Sequence, residues 1–230
     1  MKCGSTLTVM LTYNDMTVCN AHEIFEKCKN SSAEYWGFKE EPLARDEMKK
    51  LFAYMKECGK KTVLEVVCYD EKNSLAGAHV AAECGCDYLM GTVFFDSVNE
   101  FCKAHNLKYL PFVGKLSERP SVLDGDIDDM IAEAKEYLEK GVYGIDLLGY
   151  RYNGDASKLI ERFVNEVDAP VCVAGSVNSY ERLDEIKKIS PWSFTIGGAF
   201  FEKVFGEDFA EQINTVCDYM AENKEAALVK

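Results

Sequence analysis

The chain has 230 residues, with 39 acidic and 26 basic side chains and a formal net charge of −13. That charge repels a nucleic-acid backbone unless basic groups crowd onto one face, and no basic run is present, so no nucleic-acid partner is expected. Hydrophobic residues make up 47% and charged residues 28%. This is globular usage, able to bury a sizeable core, and too apolar for a disordered chain. There is no apolar leader core and no uninterrupted apolar run of about 18 residues, so the expectation is a cytoplasmic protein with no membrane partner.

Along the chain, short segments rich in β-branched and aromatic residues predict strands over residues 6–12, 35–39, 62–69, 88–93, 108–113, 143–149, 170–174 and 193–197. Between them, apolar residues recur at helical spacing, as in Met48, Leu51, Phe52 and Met55. The predicted helices are residues 19–29, 45–58, 74–84, 98–104, 126–140, 157–167, 179–188 and 201–222. Gly59, Gly85 and Gly141 each follow a helix and precede a strand, where a left-handed residue ends the helix. Repeated strand-helix units imply a parallel sheet with right-handed crossovers, and eight of them close into a (β/α)8 TIM barrel. No interval leaves space for a further domain, so residues 1–230 are read as one barrel domain; a doubly wound open sheet is the alternative topology. The same fold allows a homo-oligomer through its outer helices.

Ten cysteines are scattered without any CxxC pair. In a reducing compartment they read as small buried hydrophobes, and Cys84 with Cys86 lacks the second pair that zinc needs. Residues 124–129 (DGDIDD) lack the glycine and closing glutamate of a calcium loop and read as acids at a helix N-terminus. No metal is expected. With no Walker loop and no early GxGxxG, no cofactor is expected either.

Active sites of a (β/α)8 barrel lie at the C-terminal ends of the strands. His22, His79 and His105 all fall on predicted helices, so catalysis without histidine is the working assumption. Charges inside apolar strands are more informative, because burying an ion is costly unless it is paired or serves a site. Lys39 ends the second strand, Glu65 interrupts TVLEVVCY and Asp146 interrupts YGIDLLG. Strict alternation places Glu65 on the face of Val63 and Val67, and Asp146 on that of Gly144 and Leu148, both taken as the barrel interior. This set suits proton transfer beside a carbonyl, with a carboxylate as base and Lys39 as acid or electrophile. A Schiff base on Lys39 is the other route. Lys115 and Arg151, after strands 5 and 6, are candidates to orient an anionic substrate. The loop over residues 114–123 is long for this fold and reads as a lid or a mobile surface loop.

After strand 7 the chain reads Val173-Ala174-Gly175-Ser176-Val177-Asn178, and after strand 8 Ile196-Gly197-Gly198-Ala199. Two glycine turns at adjacent strand ends let backbone amides approach an anion, and these loops are the usual phosphate site of the fold. The stretch PVCVAGSVNSYERLDEI followed by FTIGGAFFE resembles the closing section of the ribulose-phosphate-binding barrel superfamily. That group includes N-acylmannosamine-6-phosphate epimerases, phosphogluconate-type aldolases and the hexulose-phosphate synthases and decarboxylases. The resemblance implies that Gly175, Ser176, Gly197 and Gly198 hold the phosphate of a small phosphorylated metabolite. It also implies an isomerase, epimerase, aldolase or decarboxylase-type lyase acting on a phosphorylated sugar or keto acid. A non-catalytic sensor similar to the glycerol-phosphate-responsive antiterminators is the alternative. The acid-base patterns of the named enzymes are not preserved, so no single family is assigned. Ala174 stands where the epimerases carry a glutamate, residues 65–70 lack the decarboxylases' central lysine, and Asp146 stands where the aldolases carry their Schiff-base lysine.

Overall fold

The computed structural model describes residues 4–222. Eight parallel strands form one sheet: β1 Thr6–Met10, β2 Tyr35–Lys39, β3 Lys61–Cys68, β4 Tyr88–Val93, β5 Lys108–Phe112, β6 Ile145–Leu147, β7 Val171–Val173 and β8 Ser193–Ile196. Their order is β6-β7-β8-β1-β2-β3-β4-β5. The two ends meet where the amides of Tyr143 and Gly144 donate to the Tyr109 carbonyl at 3.0 and 3.4 Å, so the sheet curls into a nearly closed ring rather than an open doubly wound sheet. Eight helices surround it: α1 Ala21–Cys28, α2 Arg45–Glu57, α3 Glu71–Glu83, α4 Asp96–Ala104, α5 Ile127–Glu139, α6 Ala156–Glu166, α7 Tyr180–Ile189 and α8 Phe209–Ala221.

Local chemistry sets the boundaries. Asp70, Asp126, Asp155, Ser179 and Asp208 each accept a first-turn amide through their side chains. Asp70 thereby starts α3 three residues earlier than its apolar spacing predicts. Asp126 takes the amides of Asp128 and Asp129, which is the use the acidic run 124–129 serves. The helix expected over 201–222 is instead a single turn, Gly198–Phe201, followed by α8, because Gly206 and the Asp208 cap interrupt the pattern. Two short antiparallel hairpins escape the sequence reading: Thr12–Tyr13 with Met16–Thr17, and Lys115–Ser117 with Val122–Asp124.

The main core lies between sheet and helices, with Phe25, Trp36, Phe38, Phe52 and Phe163 fully buried. A second cluster, with Tyr35, Val63, Tyr88, Met90, Leu110 and Cys172, fills the inside of the ring. At the starts of the strands Tyr35, Tyr88, Tyr143 and Trp192 pack edge to face at centroid separations of 5.5–5.9 Å. Edge-to-face aromatic contacts of this kind close the floor of the barrel. Access to the interior is therefore from the C-terminal ends of the strands.

Candidate active site

A cavity of about 270 Å³ opens at that end. Lys39 and Glu65 line it from β2 and β3, Asp146 from β6, and Arg151 and the two glycine turns from the segments that follow β6, β7 and β8. The candidate set thus converges on one opening, with one exception. Lys115 is exposed on the second hairpin and does not line the cavity; Pro120, from the turn of that hairpin, does.

Lys39 and Glu65 are registered neighbours at the ends of β2 and β3. The Lys39 Nζ lies 3.8 Å from Glu65 Oε1 and donates to Asp15 Oδ1. Burial alone pulls the Lys39 amine toward neutrality, but Glu65 and then the Asp15 hydrogen bond outweigh it, and the lysine titrates above its ordinary range. Its backbone is clamped as well: Thr17 Oγ1 donates to the Lys39 carbonyl at 2.7 Å and accepts from the Lys39 amide at 2.9 Å.

Glu65 sits at an irregularity. The β3–β4 register shifts after Glu65, and Val67 joins Val66 in the outer core, which corrects the strict alternation that placed Val67 inside. Opposite, Gly91 adopts φ +93, and a Cβ there would meet Glu65 Cγ at 2.9 Å. A left-handed glycine is what gives the glutamate stem its space.

Asp146 is 1% exposed, and neither carboxyl oxygen meets a hydrogen-bond partner. Burial, reinforced by the Glu65 charge and opposed by Lys39, raises its pKa well above the usual carboxylate value. A buried carboxyl without donors is favoured in its neutral form, with a proton to give. Its registered neighbour Cys172 is equally buried, and burial followed by the Asp146 charge pushes that thiol up. The nine described cysteines are all free. His22, His79 and His105 stack on Tyr54 and Phe101 at the helix layer, away from the cavity.

The glycine turns form the wall above β7 and β8. Gly175 has φ +83, and a Cβ there would meet Arg151 Cγ at 2.8 Å, so the glycine makes way for the arginine stem. Arg151 Nε reaches Ser176 Oγ at 3.5 Å. Ser176 is itself left-handed at φ 55 and is held by Arg182, which donates to the Ser176 carbonyl and, at 2.8 Å, to Asn178 Oδ1. At Gly197 a Cβ would strike Thr12 Oγ1 at 2.7 Å, whereas at Gly198 the nearest atom is Tyr13 Cδ2 at 3.9 Å. The first glycine is needed for packing against the end of β1; the second leaves open space toward the cavity. Glu202 also lines the cavity.

Two participants went unseen in the sequence. Asp15 lies in the first hairpin, where Asn14 and Asp15 take φ 49 and 64 between the paired residues Tyr13 and Met16. Two left-handed residues in a two-residue turn are the type I′ signature, so the Asn-Asp pair flanked by Tyr and Met was the available signal. Arg119, in the second hairpin, donates to the Val67 carbonyl and lies 3.8 Å from Asp15 Oδ2. Tyr69 adds bonds to Ser121 at 2.6 Å and the Glu118 carbonyl at 3.2 Å. The segment read as a lid or mobile loop is a hairpin strapped to the end of β3.

No protein-family model and no curated protein matches the chain. Solved structures share its fold. The orotidine 5′-phosphate decarboxylase from Pyrococcus horikoshii OT3 superposes with a TM-score of 0.68 at 13% identity, covering 94% of this chain and 99% of that one. The N-acetylmannosamine-6-phosphate 2-epimerase from Clostridium perfringens gives 0.63 at 13% identity, covering 86% and 88%. A glycerol uptake operon antiterminator regulatory protein from Listeria monocytogenes gives 0.57 at 14% identity, covering 84% and 91%. At these identities the likeness is one of fold: the chain shares the (β/α)8 architecture of these structures. Among the described residues no helix is long and apolar enough to cross a membrane.

Proposed function

We propose that the chain binds a small phosphorylated carbonyl compound, a sugar or a keto acid, and moves a proton at the carbon beside the carbonyl. One observation carries the reading: a fully buried, unpartnered Asp146 carboxyl shares a cavity with the Lys39–Glu65 ion pair, two glycine turns and Arg151. In this reading the phosphate rests against Gly175, Ser176 and Gly198, with Arg151 supplying charge. The Lys39 ammonium donates to the carbonyl oxygen and stabilises the enolate oxygen as it forms. Glu65 takes the proton from carbon, and the neutral Asp146 carboxyl returns one, so that charge and protons balance over an isomerisation. Because two carboxylates hold the proton on Lys39, the electrophile role is favoured over a Schiff base, and an isomerase or epimerase over a Schiff-base aldolase. The structural neighbours named for phosphorylated substrates support the substrate class.

Incubation with a panel of phosphorylated ketoses, aldoses and keto acids in D2O tests this directly. Deuterium entering at the carbon beside the carbonyl, and lost in Glu65→Gln, is the expected result. Saturable binding with no exchange across the panel refutes the proton-transfer reading and favours a sensor, the role named for the antiterminator neighbour.

A further inference from the structure

The opposite end of the barrel carries a second concavity that the proposed reaction does not use. It is a groove of about 640 Å³ built from the turns that lead into β3, β4 and β5. Lys56, Lys60, Lys61, Lys108 and His105 line it, against a single acid, Asp87. On a chain of net charge −13, four lysines thus line one groove against one carboxylate.

The pairing of these lysines decides what the groove can hold. Lys56 is matched to Asp87 at 2.8 Å and Lys61 to Glu34 at 2.6 Å. Lys60 has no carboxylate: its ammonium donates to the Ser31 and Ala33 carbonyls at 2.8 and 2.9 Å, and burial pulls its pKa down. Lys108 has none either. It donates to Tyr88 Oη at 3.0 Å and rests over the Tyr88 and Tyr143 rings, 4.7 and 5.0 Å from their centroids. Two lysines of the groove lining, Lys60 and Lys108, are thus without an ion-paired carboxylate, one held by backbone carbonyls and the other by a phenol oxygen and aromatic rings.

We propose that this groove binds a small anion carrying two or more linked phosphates. The lysines come from two junctions, Lys56, Lys60 and Lys61 from the one leading into β3 and Lys108 from the one leading into β5, and linked phosphates offer a separate anionic group to each junction. Charge also argues for a small ligand over a polymer. Screening limits a compact anion to the local positive field, since the Debye length is about 8 Å at physiological salt. A long polyanion would also run over the acidic surface beyond.

The test is titration of the full-length protein with tripolyphosphate and with ATP, read by amide NMR shifts and by calorimetry in wild type, K60M/K108M, K108M and Arg151→Ala. The expected result is saturable shifts at Gly59, Gly85 and Asn106, and affinity weakened about tenfold or more in K60M/K108M and in K108M but not in Arg151→Ala. Lys108 is exposed, so K108M reports on binding even if loss of Lys60 perturbs its turn. Tighter ATP than tripolyphosphate binding identifies a nucleotide, and equal binding identifies the phosphate chain alone; both support the site. Absence of shifts at these turns, unchanged affinity in K108M, or a single-stranded RNA oligomer binding more tightly than either phosphate would overturn it. Because Arg151→Ala alters only the upper cavity, failure of either site leaves the other standing.

Discussion

Lys39 and Glu65 stand side by side in the β2–β3 register, with the ammonium 3.8 Å from the carboxylate at the mouth of the barrel. Two adjacent strands thus deliver an acid and a base to one point without any loop having to place them.

Removing either partner separates chemistry from folding. Glu65→Gln keeps shape and the Lys39–Asp15 pair, so turnover should fall by about 10²–10⁴-fold with little change in stability. Lys39→Met should lose a similar factor and also about 1–3 kcal/mol, because it leaves Asp15 and Glu65 facing each other; both retain some water contact, which keeps the cost below that of a fully buried pair. Steady-state kinetics with chemical denaturation checks both, and full activity in the two variants would remove the pair from the reaction.

The buried carboxyl makes stability depend on pH. The folded pKa of Asp146 lies well above the 3.8 of an ordinary aspartate, so the unfolded chain gives up this proton first. Its stabilising contribution is complete below that ordinary value and is lost as pH rises toward the folded pKa. Unfolding free energy should therefore decline over that window, and Asp146→Asn should flatten the decline. Glu40, also raised by burial, retains a part of the slope. Denaturation midpoints at pH 5 and pH 8 measure it; an unchanged slope in Asp146→Asn would show that the carboxyl ionises freely.

Adjacent glycines should separate by role. Gly197→Ala pushes a methyl into Thr12 and should cost roughly 1–3 kcal/mol of stability. Gly198→Asp meets open space, so its carboxylate should leave the fold intact and weaken phosphoester binding by about tenfold or more, 1.4 kcal/mol per factor of ten. Thermal unfolding and ligand titration of the two variants distinguish the effects, and equal affinity in Gly198→Asp would move the phosphate elsewhere.

Gly91→Ala should act on Glu65 through space. Alanine in a left-handed conformation, with its methyl 2.9 Å from the Glu65 stem, should cost roughly 1–3 kcal/mol and reduce turnover without changing phosphate affinity. A variant as active as wild type would show that Glu65 needs no fixed position.

Arg119 ties the second hairpin to Val67 and Asp15. Half exposed, it contributes under about 1 kcal/mol to global stability, yet Arg119→Ala should speed hydrogen exchange across Lys115–Ser117 and Val122–Asp124. Unchanged protection there would leave Tyr69 as the effective tether.

The repeating unit was legible in the sequence, from β-branched runs, helical spacing, the acidic helix start at 124–129 and the left-handed glycines at Gly59, Gly85 and Gly141, with φ of +76, +73 and +88. These are local signals, set by a few consecutive dihedrals and side chains, and so they survive without tertiary context. The sequence also marked Lys39, Glu65 and Asp146, since a charge in an apolar strand needs a reason wherever the strand goes. Which side chains meet is settled by the folded barrel. Ring closure brings Asp15 and Arg119 to the mouth from hairpins some hundred residues apart, turns Lys115 outward, and buries Asp146 beyond reach of any donor. Those outcomes depend on register, on the shift after Glu65 and on the packing of neighbouring strands, none of which is written within a single segment.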